Sequence, residues 1–98
     1  MSQAYTNDEL AAMYELGRLY FKMGYFAPAE RIFNGLAAVD DYRTPSRLGL
    51  GLVKLERGLF DEAAAHLRLV LERGEFEPQA KLAMCAAFVA TGDMASFA

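Results

Sequence analysis

Few residues in this chain could perform chemistry, and their spacing does not favour it. His66 is the sole histidine and lies within AAAHLRL, without metal-ligand spacing around it, so we interpret it as a surface or packing residue. Cys85 is the sole cysteine and lies within AMCAAFVA; we interpret it as a small packing residue and not as a nucleophile. A single cysteine cannot form an internal disulfide, and it fits a reducing cytoplasm.

Paired carboxylates and a glycine-rich run do not indicate a catalytic or phosphate site either. Asp40-Asp41 and Asp61-Glu62 stand where helices are predicted to end or begin, and the second pair favours the positive end of a helix dipole. The run LGLG from Leu48 lacks the strand-to-helix context of a phosphate-binding loop. We therefore expect no enzymatic activity, no cofactor and no metal site.

The composition is that of one globular domain. The chain has 98 residues, 54% of them apolar, and a formal net charge of -3 with acids and bases interspersed. The absence of a basic patch argues against a nucleic-acid partner. No apolar run is long enough to span a membrane, and MSQAYTNDEL lacks the pattern of a secretory signal. We expect a cytoplasmic protein that does not insert into membranes.

A repeat of 34 residues runs through the chain. Gly24, Gly58 and Gly92 open the phrases GYFAPAERIF, GLFDEAAAHL and GDMASFA. Seven positions before these glycines stand three small residues: Gly17, Gly51 and Cys85. Two features therefore recur with the same period, which predicts that one structural unit is repeated along the chain.

Helix start and stop signals fit this repeat. Thr6 and Glu9 form a capping box ahead of an apolar-periodic run, and Thr44 is predicted to cap the helix that Pro45 begins. Prolines near predicted helix starts are Pro28, Pro45 and Pro78. The predicted helices span about 7–23, 26–39, 45–57, 60–73 and 78–91.

The period and the motif resemble the tetratricopeptide repeat, whose pattern is L-G-x2-Y followed by A-x3-F. The matching residues are Leu16-Gly17-x2-Tyr20 with Ala29-x3-Phe33, Leu50-Gly51 with Ala63-x3-Leu67, and Met84-Cys85-x2-Phe88. The resemblance implies an all-α fold of helical hairpins, stacked as a short right-handed solenoid of about two and a half repeats. One domain, 1–98, would hold repeats at about 10–43 and 44–77 and an incomplete one at 78–98. The alternative is an unrelated helical bundle with glycine-containing turns.

In this repeat family the first helices of successive hairpins line a concave groove. Carried over by register, the partner-binding positions are Tyr14, Arg18 and Phe21, then Leu48, Leu52 and Leu55, then Leu82, Ala86 and Val89. This line is almost wholly apolar, and contiguous apolar surface usually marks a binding site. The alternative is that the chain's own ends or a second copy cover part of it.

The run LGLGLVKL combines two kinds of position. Gly51 stands at the small position of the repeat, where we expect the paired helix to come close. Gly49 has no role in the repeat pattern and needs a separate account. We expect Leu50 to face the paired helix and Leu52 to face the groove, because they lie on different stripes of one helix.

A narrower resemblance begins at Asp40. The sequence runs D-D-Y, five residues, L-G-L-G, six residues, and then Gly58. It resembles the central repeat of the cytoplasmic chaperones of bacterial type III secretion that hold translocator proteins. The resemblance covers most of residues 13–92 and implies a chaperone that keeps a secreted subunit soluble and competent for export.

The chain also departs from that class. Its first repeat begins within about ten residues, where the class usually has a longer helical arm used in self-association. It is also similar to the smaller repeat chaperones that hold the needle subunit together with a short helical co-chaperone. The implied client is a translocator or a needle subunit, and a homo-oligomer is a further option.

The alternative from another class is a generic tetratricopeptide-repeat scaffold that mediates protein–protein interaction in another assembly. A groove rich in basic side chains that clamp a carboxylate would favour it. Arg18 and Lys22 are the basic candidates in the first repeat, and the second repeat offers none at its groove positions. The sequence therefore favours the chaperone.

Overall fold

The computed structural model describes residues 5–92, and this part of the chain is all-helical, as predicted. Its α-helices are α1 (Asn7–Lys22), α2 (Phe26–Leu36), α3 (Arg43–Glu56), α4 (Phe60–Arg73) and α5 (Glu77–Thr91). A short 3-10 helix, Asp40–Tyr42, joins α2 to α3. Within residues 5–92 no helix combines the length and the apolar character that a membrane crossing requires.

The predicted capping box starts α1. The Glu9 backbone N–H donates to the Thr6 hydroxyl oxygen at 3.2 Å, and the Thr6 backbone N–H donates to the Glu9 carboxylate at 2.8 Å. Two backbone donors that a helix start leaves unpaired are thereby satisfied.

The predicted cap of α3 is wrong, and the helix begins at Arg43, two residues earlier than expected. Thr44 does not cap the helix but lies in its first turn, buried, with Tyr42 at the cap position and no side-chain cap bond. The reason is the 3-10 helix, which is closed by the Tyr42 N–H to the Val39 carbonyl at 2.9 Å and leads directly into α3. Arg43 ties this corner to the end of α2, because its Nε donates to the Ala37 carbonyl at 3.1 Å.

The three glycines of the 34-residue repeat adopt one backbone conformation. Gly24, Gly58 and Gly92 have φ of 82°, 78° and 77°, the left-handed region that favours glycine. Each backbone N–H donates to the carbonyl three residues earlier, at 3.1, 3.1 and 3.2 Å. The sequence period therefore places glycines of the same backbone conformation at the ends of α1, α3 and α5.

Successive helices pack on one another in chain order, and α3 also contacts α1 and α5. The α3–α4 pair is antiparallel: Lys54 contacts Glu62 near the turn, and Gly51 contacts Leu67 farther from it. A Cβ at Gly51 would lie only 2.7 Å from Leu67 Cδ2, so the predicted close approach of the paired helix is confirmed.

The interior consists of two clusters of buried apolar side chains. The first cluster joins α2 to α3 and comprises Ala29, Phe33, Leu50 and Val53. The second cluster joins α3, α4 and α5 and comprises Leu48, Ala63, Leu67, Val70, Ala80, Ala83, Met84 and Phe88. Helix α3 contributes to both clusters and is therefore the central element of the fold.

An ion network crosses the helices away from these clusters. Lys54 Nζ lies 2.6 Å from the Glu30 carboxylate and 3.5 Å from that of Glu62, while Arg57 lies 2.7 Å from Glu30. The hydrogen bond from Lys54 holds the pKa of Glu30 below its usual value, and the same bond raises the pKa of Lys54. The network therefore links α2, α3 and α4 through charges that are stabilised by one another.

Candidate binding cleft

A cleft of about 560 Å³ opens between α1, α3 and the beginning of α5. Most of its lining is apolar, and its charged members come from α1. The lining residues are Tyr14, Arg18, Phe21, Lys22, Phe33, Pro45, Leu48, Gly49, Leu52, Phe76 and Gln79. An apolar concavity with a few polar groups is the usual form of a binding site.

Phe33 belongs to α2 but reaches the cleft because α1 and α3 lack side chains on either side of it. A Cβ at Gly49 would lie 2.8 Å from the Phe33 ring, and a Cβ at Gly17 would lie 3.0 Å from it. Real Cβ atoms rarely come that close, so both glycines leave room for this ring. Gly49, which had no role in the repeat pattern, is thereby explained.

Aromatic side chains form the α1 side of the cleft. The Tyr14 ring meets the Phe33 ring edge-on, with centroids 5.9 Å apart, and also contacts Tyr42 at 5.8 Å. Phe21 packs on Phe26 of α2 at 5.9 Å. Burial raises the pKa of the Tyr14 hydroxyl. These contacts hold both rings in place without a ligand.

The α3 side is built from residues that are also part of the interior. Leu48 is buried in the second cluster, and Leu52 is half-buried and packs against the same cluster. Both also line the cleft. The α3 side of the cleft therefore continues directly into the core, which makes its position rigid.

Phe76 lies at the cleft beside Gln79, at the start of α5. It precedes the helix with a φ of 53°, a left-handed conformation that an aromatic residue rarely adopts. Phe76 is 38% exposed. Such strain costs on the order of 1–3 kcal/mol and is concentrated at functional sites.

One edge of the cleft is basic. Arg18 and Lys22 are one turn apart on α1, and both are exposed. Arg18 lies 3.3 Å from Glu15 in an ion pair whose two side chains are half or more exposed, a pairing that contributes little to stability. The cleft thus presents an apolar centre with positive charge along the α1 edge.

The structure brings together five of the nine groove residues predicted from the sequence. Those that line the cleft are Tyr14, Arg18, Phe21, Leu48 and Leu52. Leu55 instead packs against the second cluster. Leu82 and Val89 are 75% and 63% exposed, and Ala86 is exposed, but none of these three lines the cleft. The physical reason is that α5 meets the cleft at Phe76 and Gln79, at its very start.

Several of the cleft residues were not predicted from the sequence. Phe33 was recognised in the A-x3-F motif, and its place in the cleft follows from the glycines that flank its ring. Phe76 and Gln79 lie outside the groove register, so no periodic signal could have identified them. The left-handed backbone at Phe76 has no counterpart in the sequence either, because that conformation normally calls for glycine.

His66 and Cys85, the residue types most able to perform chemistry, do not line the cleft. Cys85 is exposed, so its interpretation as a packing residue is wrong: nothing in the described part of the chain covers it as α4 covers Gly51. His66 is half-buried, and its Nδ1 is buried without a hydrogen-bond partner in the structure. Burial lowers the pKa of His66, and the positive charges of Arg47 and Lys54 lower it further.

The acidic residues do not gather into a metal site. Asp40 pairs with Arg43 at 2.9 Å, and Glu62 belongs to the ion network. Within residues 5–92, no three side chains of the kinds that commonly ligate metals come together.

No protein family model, curated protein or solved structure matches this chain. The fold and the site together define an all-α protein with an apolar cleft and a basic edge. Its function has to be argued from that geometry.

Proposed function

We propose that the chain is a tetratricopeptide-repeat protein, a short right-handed solenoid of about two and a half repeats. Two observations support this. The glycines of the 34-residue period have the same left-handed conformation, and each donates its N–H to the carbonyl three residues earlier, at the ends of α1, α3 and α5. The small residues Gly17 and Gly51 each receive a large apolar side chain from the following helix, Phe33 and Leu67 respectively.

We further propose that the protein is a cytoplasmic chaperone of type III secretion that holds a secreted subunit in the cleft. The apolar cleft of about 560 Å³ between the first helices of successive repeats carries this proposal. An amphipathic helix placed in such a groove buries its apolar face and leaves its polar face in water. The resemblance of the D-x-Y and LGLG run to those chaperones supplies the class of client.

The apolar surface of the cleft is suited to holding such a subunit. A secreted subunit has to remain unassembled until export, and its assembly surface is apolar. The rings of Tyr14 and Phe21 and the side chain of Leu52 offer a preformed apolar surface that could cover such a segment. Because the cleft is held in place by core contacts, little ordering is needed on binding, which favours affinity.

Co-expression with the products of adjacent genes tests the proposal, followed by identification of whatever is retained. We expect a secreted helical subunit, either a needle protein or a translocator. Leu52→Glu places a charge in the apolar centre and should abolish retention, because an apolar anchor commonly contributes more than about 2 kcal/mol. Arg18→Glu reverses the charge of an exposed edge residue and should weaken retention much less than Leu52→Glu, because the client is held by apolar contacts.

Leu69→Glu is the matched control. Leu69 lies on α4, is 40% exposed and does not line the cleft, so this variant should retain the client. If Leu52→Glu stays folded by circular dichroism and retains the client as the control does, the cleft is not the binding site.

The alternative function is a repeat scaffold in another assembly, and the basic edge of the cleft favours it. Arg18 and Lys22 could receive the carboxylates of an acidic peptide. Retention of a protein that is not secreted, through an acidic tail and with strong salt dependence, would support the scaffold over the chaperone.

A further inference from the structure

The length of the cleft limits what it can hold. On α1 its lining runs from Tyr14 to Lys22, and on α3 it runs from Pro45 to Leu52. At a rise of 1.5 Å per residue, these stretches are about 12 Å and about 10 Å long. The cleft therefore covers about two turns of a helix laid along it, or about four residues of an extended chain.

The polar groups of the lining favour a helix as the occupant. An extended segment would bring its backbone N–H and C=O groups into the cleft, and each would need a hydrogen-bond partner there. The side chains of Phe33, Leu48 and Leu52 offer none, and the backbone groups of α3 are used within that helix. An amphipathic helix satisfies its backbone internally and presents only side chains to the cleft.

The charge of the cleft is one-sided. The charged residues of its lining are Arg18 and Lys22, both cationic and both on α1, whereas the α5 side contributes the uncharged Phe76 and Gln79. Positions 18 and 22 are one turn apart and lie on the same face of α1. Within residues 5–92, Lys22 forms no ion pair, and Arg18 has the weak exposed pair with Glu15. Both cations are therefore available to a ligand.

We propose that the cleft recognises an amphipathic helix that carries two carboxylates, one turn apart, on the flank of its apolar face. The apolar face fills the cleft over about two turns, and the carboxylates pair with Arg18 and Lys22 at the α1 edge. Reversing a helix in a groove exchanges its two flanks, so the one-sided charge also sets the direction in which the helix lies. This inference rests on the proposed function, because it specifies the chemistry of the segment held in the same cleft.

Three synthetic helical peptides test the recognition of carboxylates. Each has leucines spaced i, i+4, i+7 along one face, and two flank positions four residues apart that are both Glu, both Gln or both Lys. Fluorescence anisotropy measures their binding to the full chain. We expect the Glu peptide to bind about five- to tenfold more tightly than the Gln peptide, and the Lys peptide to bind most weakly. The differences should shrink at high salt.

The double variant Arg18→Glu with Lys22→Glu should reverse the order of the Glu and Lys peptides. The readout is the ratio of the two affinities, which cancels any general effect of the substitutions on the cleft. Arg31→Glu with Lys81→Glu is the matched control: it changes the net charge equally, at two exposed positions outside the lining. This control should keep the order of the unaltered chain. A control that also reverses it would overturn the proposal, because net charge would then decide.

Two further peptides test the form of the occupant. A proline at the centre of the Glu peptide, on its solvent face, should weaken binding at least about tenfold, because it breaks the helix. A Glu peptide without its leucines should not bind. Unchanged binding of the proline peptide would show that the cleft takes an extended segment. Equal binding of the leucine-free peptide would show that it takes an acidic tail, and either result would overturn the proposal.

Failure of this inference is distinguishable from failure of the proposed function. Equal affinity for the Glu, Gln and Lys peptides would overturn the recognition of carboxylates and leave the cleft as a binding site. If none of the peptides bound, the inference as a whole would be wrong. The proposed function is tested separately, by retention of the client and by its loss in Leu52→Glu.

Discussion

Gly49 sets how closely α3 can approach the Phe33 ring. A methyl group at this position would lie 2.8 to 2.9 Å from three atoms of the ring, which is closer than real contacts allow. The ring has no room to move away, because Gly17 lies against it as well, where an added Cβ would be 3.0 Å from the ring. Either α3 or the ring would have to move, and the cleft would change shape.

Gly49→Ala should therefore destabilise the protein by about 1–3 kcal/mol, although alanine alone favours a helix over glycine by about 1 kcal/mol. Gly35→Ala is the matched control: it lies on α2, and a Cβ there meets no atom within 4 Å. The control should be neutral or more stable by up to about 1 kcal/mol. Denaturant unfolding measures both, and equal effects for the two variants would contradict the close contact at Gly49.

Residue roles were the part of this molecule that the sequence predicted least well. Gly51 could be assigned because its repeat position implied a paired helix, whereas Gly49 could not, since its contact is with a ring from α2. Cys85 looked like its repeat equivalents, yet exposure depends on which helix lies opposite. A period along the chain identifies equivalent positions but does not say whether each neighbour is present.

At the scale of elements, local signals predicted the helices closely. The capping box and the turn glycines act within a few residues, so the boundaries of α1 and α4 were found to within one residue. The link from α2 to α3 was predicted poorly, because a 3-10 helix at Asp40–Tyr42 has no strong signal of its own. The ion network was not predicted either: Lys54 stands where the other repeats have the aromatic residues Tyr20 and Phe88.

Glu30→Gln tests how strongly this network ties α2 to α3. The folded-state pKa of Glu30 is lowered, so its contribution is present above the usual glutamate pKa of about 4.3 and is lost as the pH falls through the lowered value. At pH 7 we expect the variant to be less stable by about 1–3 kcal/mol. The difference should shrink towards acid pH.

Glu15→Gln is the control for this prediction. Glu15 pairs with Arg18 on the exposed surface, and such pairs contribute at most about 1 kcal/mol. Thermal melting between pH 7 and acid pH compares the variants with the unaltered chain. If the loss of stability in Glu30→Gln did not depend on pH, the contribution of Glu30 would not come from its charge.

At the scale of the whole molecule, α3 divides the interior from the cleft. Leu50 is 2% exposed in the first cluster, whereas Leu52, two residues further on, is half-buried at the cleft. The two stripes of α3 predicted that Leu50 is interior and that Leu52 is not. Leu50 belongs, however, to the cluster with Ala29 and Phe33 of α2, whereas we expected it to face the paired helix α4. The stripes did not predict that Leu52 and Leu55 also pack on the second cluster, because that depends on where α5 crosses α3.

Leu50→Glu should unfold the domain, since an unpaired buried charge consumes most of the about 5–15 kcal/mol that stabilises a small protein. Leu52→Glu should remain helical with a smaller loss of stability, because its carboxylate can reach the solvent of the cleft. Circular dichroism and thermal melting distinguish the two. If both variants unfold alike, Leu52 belongs wholly to the core and the cleft loses its central residue.

The packing of each helix mainly on the next in sequence also bears on how the chain folds. Helical proteins with such local contacts fold in microseconds to milliseconds. Ribosomes add about 5–20 residues per second, so folding is far faster than synthesis. The first cluster needs no residue beyond Val53. Helices α1 to α3 should therefore pack while α5 is still being translated, and the aromatic side of the cleft should form before its far edge exists.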